Sequence, residues 1–143
     1  MQIETKFHGS ISLKGALIYE FPQGLPGFED NHSFTILPID GNDMFQVLQS
    51  TDTPGVAFVV ANPYTLIEQY DIRIDEPTID LLGIESEEEV FVLTVVTVKE
   101  PFNRSTLNLQ APLVFNVKTK KGKQMILNDA SYDMRHPIDK GAK

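Results

Sequence analysis

The sequence predicts a mainly β protein: an antiparallel barrel-like or sandwich domain carrying one or two short helices. Three observations lead there. Short apolar runs repeat along the chain, either alternating with polar residues or apolar throughout, as strands do. Prolines and glycines punctuate their boundaries about every dozen residues, the spacing of an all-β domain. Two places, Asn62-Pro63 and Asp75-Glu76-Pro77, carry the capping residue and proline that open a helix.

The elements follow in order. Ile3 to Phe7 alternates, with Ile3, Thr5 and Phe7 on one face, before a turn at Gly9-Ser10. Ala16 to Phe21 places Leu17, Tyr19 and Phe21 together, and Gln23 to Gly27 is a sharply turned loop. Ser33 to Ile39 and Phe45 to Gln49 form a hairpin about Asp40-Gly41-Asn42-Asp43, residues that favour positive φ. Val56 to Ala61 is an apolar strand. Tyr64, Ile67 and Tyr70 would share one face of the first helix, Ile72-Arg73-Ile74 returns to strand, and the second helix ends at Gly83 with Ile79 and Leu82 inward. Val90 to Val98 is apolar on both faces, so both must be covered. Glu100 to Asn103 turns the chain. Thr106 to Leu109 and Leu113 to Val117 are two strands meeting at a corner, Gln110-Ala111-Pro112, because proline cannot donate to a ladder. In the second of these Leu113, Phe115 and Val117 fall on one face. Lys118 to Lys123 is a basic hairpin tip leading to a strand at Gln124 to Leu127. Tyr132, Met134 and Ile138 anchor the tail, and the last few residues fray.

At 143 residues the chain is expected to form a single domain over 1–143. It holds no cysteine, which rules out thiolate nucleophiles and thiolate metal sites. No run approaches the ~20 apolar residues of a membrane span, and the start lacks a signal peptide's apolar run, so a cytoplasmic protein without membrane contact is expected. The net charge of −8 repels phosphate and favours a basic partner over nucleic acid.

No catalytic or metal-ligating constellation is legible, and no cofactor is expected. His8, His32 and His136 are scattered, with none at the two-histidine spacing of a metal site. The most uneven charge is the acidic run Asp75, Glu76, Asp80, Glu85, Glu87, Glu88 and Glu89; no Lys or Arg occurs between Ile74 and Val98. Such a run is either a solvated face or a docking patch for a basic protein, which would speed association and weaken with salt. With Tyr64 and Tyr70 as apolar neighbours, Asp75, Glu76, Asp80, Glu87 and Glu88 are the candidate partner-binding residues. Asn108, Gln110, Pro112 and Asn116 are the candidate structural set: if buried, their polar groups must be paired.

Four stretches in order resemble the FliW family of flagellar assembly factors. They are Phe21-Pro22-Gln23-Gly24-Leu25-Pro26-Gly27-Phe28-Glu29; Ala57-Phe58-Val59-Val60 with Asn62-Pro63-Tyr64; Thr106-Leu107-Asn108-Leu109-Gln110-Ala111-Pro112-Leu113-Val114-Phe115-Asn116; and Gln124-Met125-Ile126-Leu127 with Tyr132 and Arg135-His136-Pro137. Phe115 departs from the pattern, standing where a smaller aliphatic is expected, and the acidic run is not itself a family motif. The resemblance implies a non-enzymatic cytoplasmic protein, monomeric when free, that binds newly made flagellin and alternatively binds and antagonises CsrA, an RNA-binding translational regulator. When flagellin is scarce the regulator is held and repression of flagellin translation is relieved. When flagellin accumulates the regulator is released. Action on RNA is then indirect, through coupled sites on the regulator. The rival readings are a generic flagellin export chaperone and a small-ligand-binding barrel or enzyme. A deep polar pocket would favour the last; an apolar groove beside acid would favour docking.

Overall fold

The computed structural model describes residues 2–12, 17–39, 42–67, 70, 72–100, 104–127 and 132–138. A small hairpin, β1 (Gln2–Glu4) and β2 (Ser10–Ser12), precedes β3 (Ile18–Glu20), β4 (Ser33–Ile39), β5 (Asn42–Ser50) and β6 (Ala57–Ala61). Helices α1 (Pro63–Leu66) and α2 (Glu76–Leu82) and a 3-10 turn, Glu87–Glu89, lead to β7 (Val90–Thr97). Then come β8 (Thr106–Leu107), β9 (Leu113–Asn116), β10 (Lys121–Gln124) and β11 (His136–Pro137).

Of barrel and sandwich, the chain forms the barrel. The strands β3-β4-β5-β6-β7-β9-β10 make a closed ring, because β7 pairs with both β6 and β9. Six of its junctions are antiparallel; β10 meets β3 in parallel through the single pair Lys121↔Glu20. Past Thr94 the same long strand turns to β8, through Val96↔Leu107, and β11 adds to β8. Closure removes most sheet edges, which otherwise invite unwanted pairing.

The interior is filled. Phe115 stacks on Phe91 at 4.6 Å, and the rings of Tyr19 and Phe21 meet Phe115 edge-on at 5.2 and 5.6 Å. Gly122, the cross-strand neighbour of Phe115, leaves room for the ring of Phe21. A Cβ there would lie 2.7 Å from Phe21 Cζ. Gly122→Ala is therefore expected to destabilise the barrel by about 1–3 kcal/mol, the usual cost of overpacking, read as a lower melting temperature. The outer face of β7 is covered only in part: Val90 and Val92 line a groove, and Val98 is exposed. Tyr70, Ile67, Leu107 and Leu109 pack on Val96 and Ala61, while Leu82 of α2 packs on Val114 and Met125.

Several expected elements are corrected. The first strand stops at Glu4, because Thr5 turns the chain by bonding Gly9 O and His8 N; Phe7 is left 55% exposed. Leu17 is exposed although Tyr19 and Phe21 are buried. The turn after β4 is tighter than expected: Asn42 already pairs with Ile39, and residues 40–41 lie outside the described set. Helix α1 is one turn long and ends before Tyr70, with Ile67 extended at φ −121°. Residues 72–74 are not a strand. The basic hairpin turns earlier, over 117–120, because the Asn116 side chain accepts from Lys118 N and Thr119 N; Lys121 and Lys123 thus lie on β10. Val117 and Met134 are exposed rather than inward. The turn at 101–103 and the end of the chain, 139–143, lie outside the described residues.

Candidate docking groove

The acidic run is divided by its own hydrogen bonds. Asp75 caps α2: its carboxylate accepts from Thr78 N at 3.0 Å, and Gly83 closes the helix at φ 66°. Hydrogen bonding from Thr78 holds the Asp75 carboxyl below its ordinary range against a burial penalty, with help from Lys123. Because that pKa is lowered by folding, the cap's contribution is present above the unfolded carboxylate value and is lost as pH falls through the lowered one. Ser86 caps the 3-10 turn by accepting from Glu88 N at 3.2 Å.

Glu89 turns inward. It is 8% exposed, its Oε1 accepts from Glu85 N and from Asn116 Nδ2, each at 3.3 Å, and Lys118 Nζ lies 3.8 Å from its Oε2. Asn116 also donates to Leu82 O at 2.9 Å. This side chain ties the end of α2, the acidic turn and the basic hairpin to one strand. The outward acids that remain beside β7 are Glu85, Glu87 and Glu88, all exposed.

Between these acids, α2 and β7 runs a groove of about 750 Å³. Its walls are apolar: Ile72, Ile74, Ile79, Ile84, Val90 and Val92. Its rim carries Tyr64, Asn62, Arg73, Glu85, Ser86 and Glu87. Tyr64 is held there by the cap of α1, where Asn62 Oδ1 accepts from Tyr64 N at 2.9 Å, and its ring is half exposed. A second recess, also about 750 Å³, opens at the adjoining end of the barrel, lined by Tyr19, Ile36, Gln46 and Leu93 with exposed Leu17 and Met44 at its lip. Tyr19 is the single ionisable residue in that lining. Among the described residues no cluster of His, Asp and Glu could hold a metal, and none of their helices is long and apolar enough to cross a membrane.

Of the candidate partner-binding residues, the structure brings Tyr64 and Glu87 to the groove, with Glu88 exposed alongside. Asp75 is committed to its helix cap, and Glu76 and Asp80 are exposed on α2 outside the groove lining. Tyr70 is corrected: it is 2% exposed, its OH donates to Leu109 O at 2.5 Å, and burial pushes its phenol well up. It offers a partner no surface. Sequence reasoning missed Arg73, Ile84 and Glu85 as groove residues. Reading 72–74 as strand hid the first, although the Ile72-Arg73-Ile74 alternation was the available signal.

The structural set shapes the corner through the bonds of Asn108 and the backbone of Gln110 and Pro112. Asn108 Oδ1 accepts from Gln110 N and Ala111 N, making the corner. Gln110 O and Pro112 O accept from Leu127 N and Met125 N. Asn108 is half-buried, so Asn108→Leu is expected to cost about 1 kcal/mol, visible as a melting temperature a few degrees lower.

A family model described as FliW protein matches residues 2–138. The flagellar assembly factor FliW of Clostridium novyi is 41% identical over 98% of both chains. That of Oceanobacillus iheyensis is 45% identical over 96% of this chain and 94% of its own; that of Bacillus subtilis is 41% identical over 96% of each. A crystal structure of the flagellar assembly factor FliW superposes with a TM-score of 0.91 at 38% identity, covering 96% of each chain.

Proposed function

The chain belongs to the FliW family of flagellar assembly factors, and from that premise we propose that it binds flagellin and, alternatively, a CsrA-type translational regulator in the cytoplasm. The observation that carries this reading is the apolar groove rimmed by Glu85 and Glu87. Apolar walls supply contact area, and outward acids select a basic partner and speed its approach. The barrel's packed aromatic interior supports docking over ligand enclosure. Binding of the regulator relieves repression of flagellin translation, and accumulating flagellin reverses this by taking the regulator's place on this protein.

The test is a competition between purified proteins. The regulator should form a complex with this chain, and added flagellin should displace it. Absence of both complexes overturns the reading, while binding of flagellin alone leaves an export chaperone. Charge reversal at Glu85 and Glu87 to Lys, with Glu88 added in a triple variant, should slow association with the regulator by about tenfold at low salt. The difference should shrink at high salt, with the melting temperature unchanged because these side chains are exposed.

A further inference from the structure

Strands β6 and β7 part halfway along. Their ladder holds Val60↔Val95 and Ala61↔Thr94. There Asn62 caps α1 and Pro63, with no N–H to give, carries the chain away. Among the described residues, β7 from Leu93 back to Val90 has a strand on one edge only, β9. The phase of that pairing is set by Val117 N donating to Glu89 O at 2.8 Å. Bonded residues alternate in an antiparallel ladder, so Phe91 and Leu93 direct their backbone groups to β9, and Val90 and Val92 direct theirs the other way. The Val90 N–H is taken by Glu87 O. The Val90 carbonyl and both backbone groups of Val92 find no hydrogen-bond partner among the described residues.

The two recesses flank this edge. Asn62, Phe91 and Val92 line both. One recess lies outside the barrel wall, with apolar walls and a charged rim; the other, at the barrel end, adds Ser12, Thr35, Gln46 and Thr65 to an apolar lining. A strand laid along an edge sends successive side chains to opposite faces. Here those faces are the two recesses.

We infer that the open edge of β7 is a strand-addition site: a short extended segment of a partner protein pairs with Val90 and Val92, its alternate side chains apolar toward the outer groove and small and polar toward the barrel end, with a basic residue beside Glu85 and Glu87. Main-chain bonds give such a site its affinity and the flanking pockets its selectivity. Arg73 shares the rim, which confines the basic residue to the glutamate side. The identity of the natural segment rests on the proposed docking of flagellin and the regulator; the site itself does not.

Amide exchange of the isotope-labelled full chain tests it. The probes are a capped hexapeptide, Lys-Val-Thr-Val-Thr-Val, the same peptide N-methylated on the backbone, and purified flagellin and regulator. In the free protein the Val92 amide should exchange faster than those of Phe91 and Leu93. The hexapeptide should slow Val92 at least tenfold and leave its two neighbours unchanged, and N-methylation should weaken binding at least tenfold. If neither the peptide nor either protein slows Val92, strand addition is overturned. If flagellin or the regulator binds while Val92 exchanges as before, strand addition fails and the docking reading stands. If the peptide protects Val92 but neither protein binds, strand addition stands and the docking reading falls.

Discussion

Replacing Phe115 by alanine should lower the unfolding free energy by about 4 kcal/mol and the melting temperature by roughly 10–15 °C. The side chain is fully buried at the middle of β9, opposite Phe91 on β7 and Gly122 on β10. It is in ring contact with Phe91, Tyr19 and Phe21. Removing it deletes those contacts and opens a void that a closed barrel cannot easily collapse, since its strands are tied on both edges. Phe115→Leu retains most of the volume and should cost only about 1–2 kcal/mol. Denaturant unfolding of both variants checks it: the midpoint should fall and the slope should stay constant. A loss below about 3 °C for the alanine variant would mean that the ring is not the keystone of the interior, and a drop in partner affinity at unchanged stability would make it a recognition residue instead.

The elements that sequence made legible are those whose signals are local. Asn62-Pro63, Asp75-Glu76-Pro77 and Gly83 marked helix ends because capping is decided within one turn, and all three stand where expected. Ser33 to Ile39 and the apolar run from Val90 read as strands because their periodicity is local too. Closure was not legible. It depends on β7 taking β6 and β9 as neighbours and on the parallel meeting of β3 with β10, and periodicity names a face but not a partner. The acidic run shows the same limit. Glu87, Glu88 and Glu89 are chemically identical in sequence, and it is the Asn116 amide and Lys118, arriving from distant parts of the chain, together with the Glu85 N–H, that hold Glu89 inward. Tyr70 was misplaced because its apolar body and polar tip fit an interface as well as a core; Leu109 O supplied the buried partner. The groove joins residues from 62 to 92 across two helices and a strand. Its acids were visible beforehand and its walls were not.

Asn116 should show the second large effect, and one that reaches the groove. It is fully buried and its amide is used at both ends: Nδ2 donates to Leu82 O and Glu89 Oε1, and Oδ1 accepts from Lys118 N and Thr119 N. In Asn116→Leu, Leu82 O keeps Thr119 Oγ1 and Glu89 Oε1 keeps Glu85 N, but Lys118 N and Thr119 N lose the side-chain acceptor. The expected cost is about 3 kcal/mol, independent of pH between 5 and 8. With the Asn116 donor gone, Glu89 is held by Glu85 N and Lys118 alone, so the Glu85 amide should be less protected from exchange and regulator association should weaken. Asn116→Asp separates charge from shape. It keeps the acceptor for the turn but sets a second carboxylate beside Glu89, and like charges raise the pKa of such a pair. A group whose folded pKa is raised contributes its stability below the unfolded value, about 4, and loses it as pH rises through the folded value. The aspartate variant should therefore be far below wild type at pH 7 and recover as pH falls toward 4, where its protonated carboxyl can again donate to Glu89. The leucine variant should show no such recovery. Parallel stability–pH curves for the two variants would show that the amide acts by shape alone and that Glu89 does not depend on its donor.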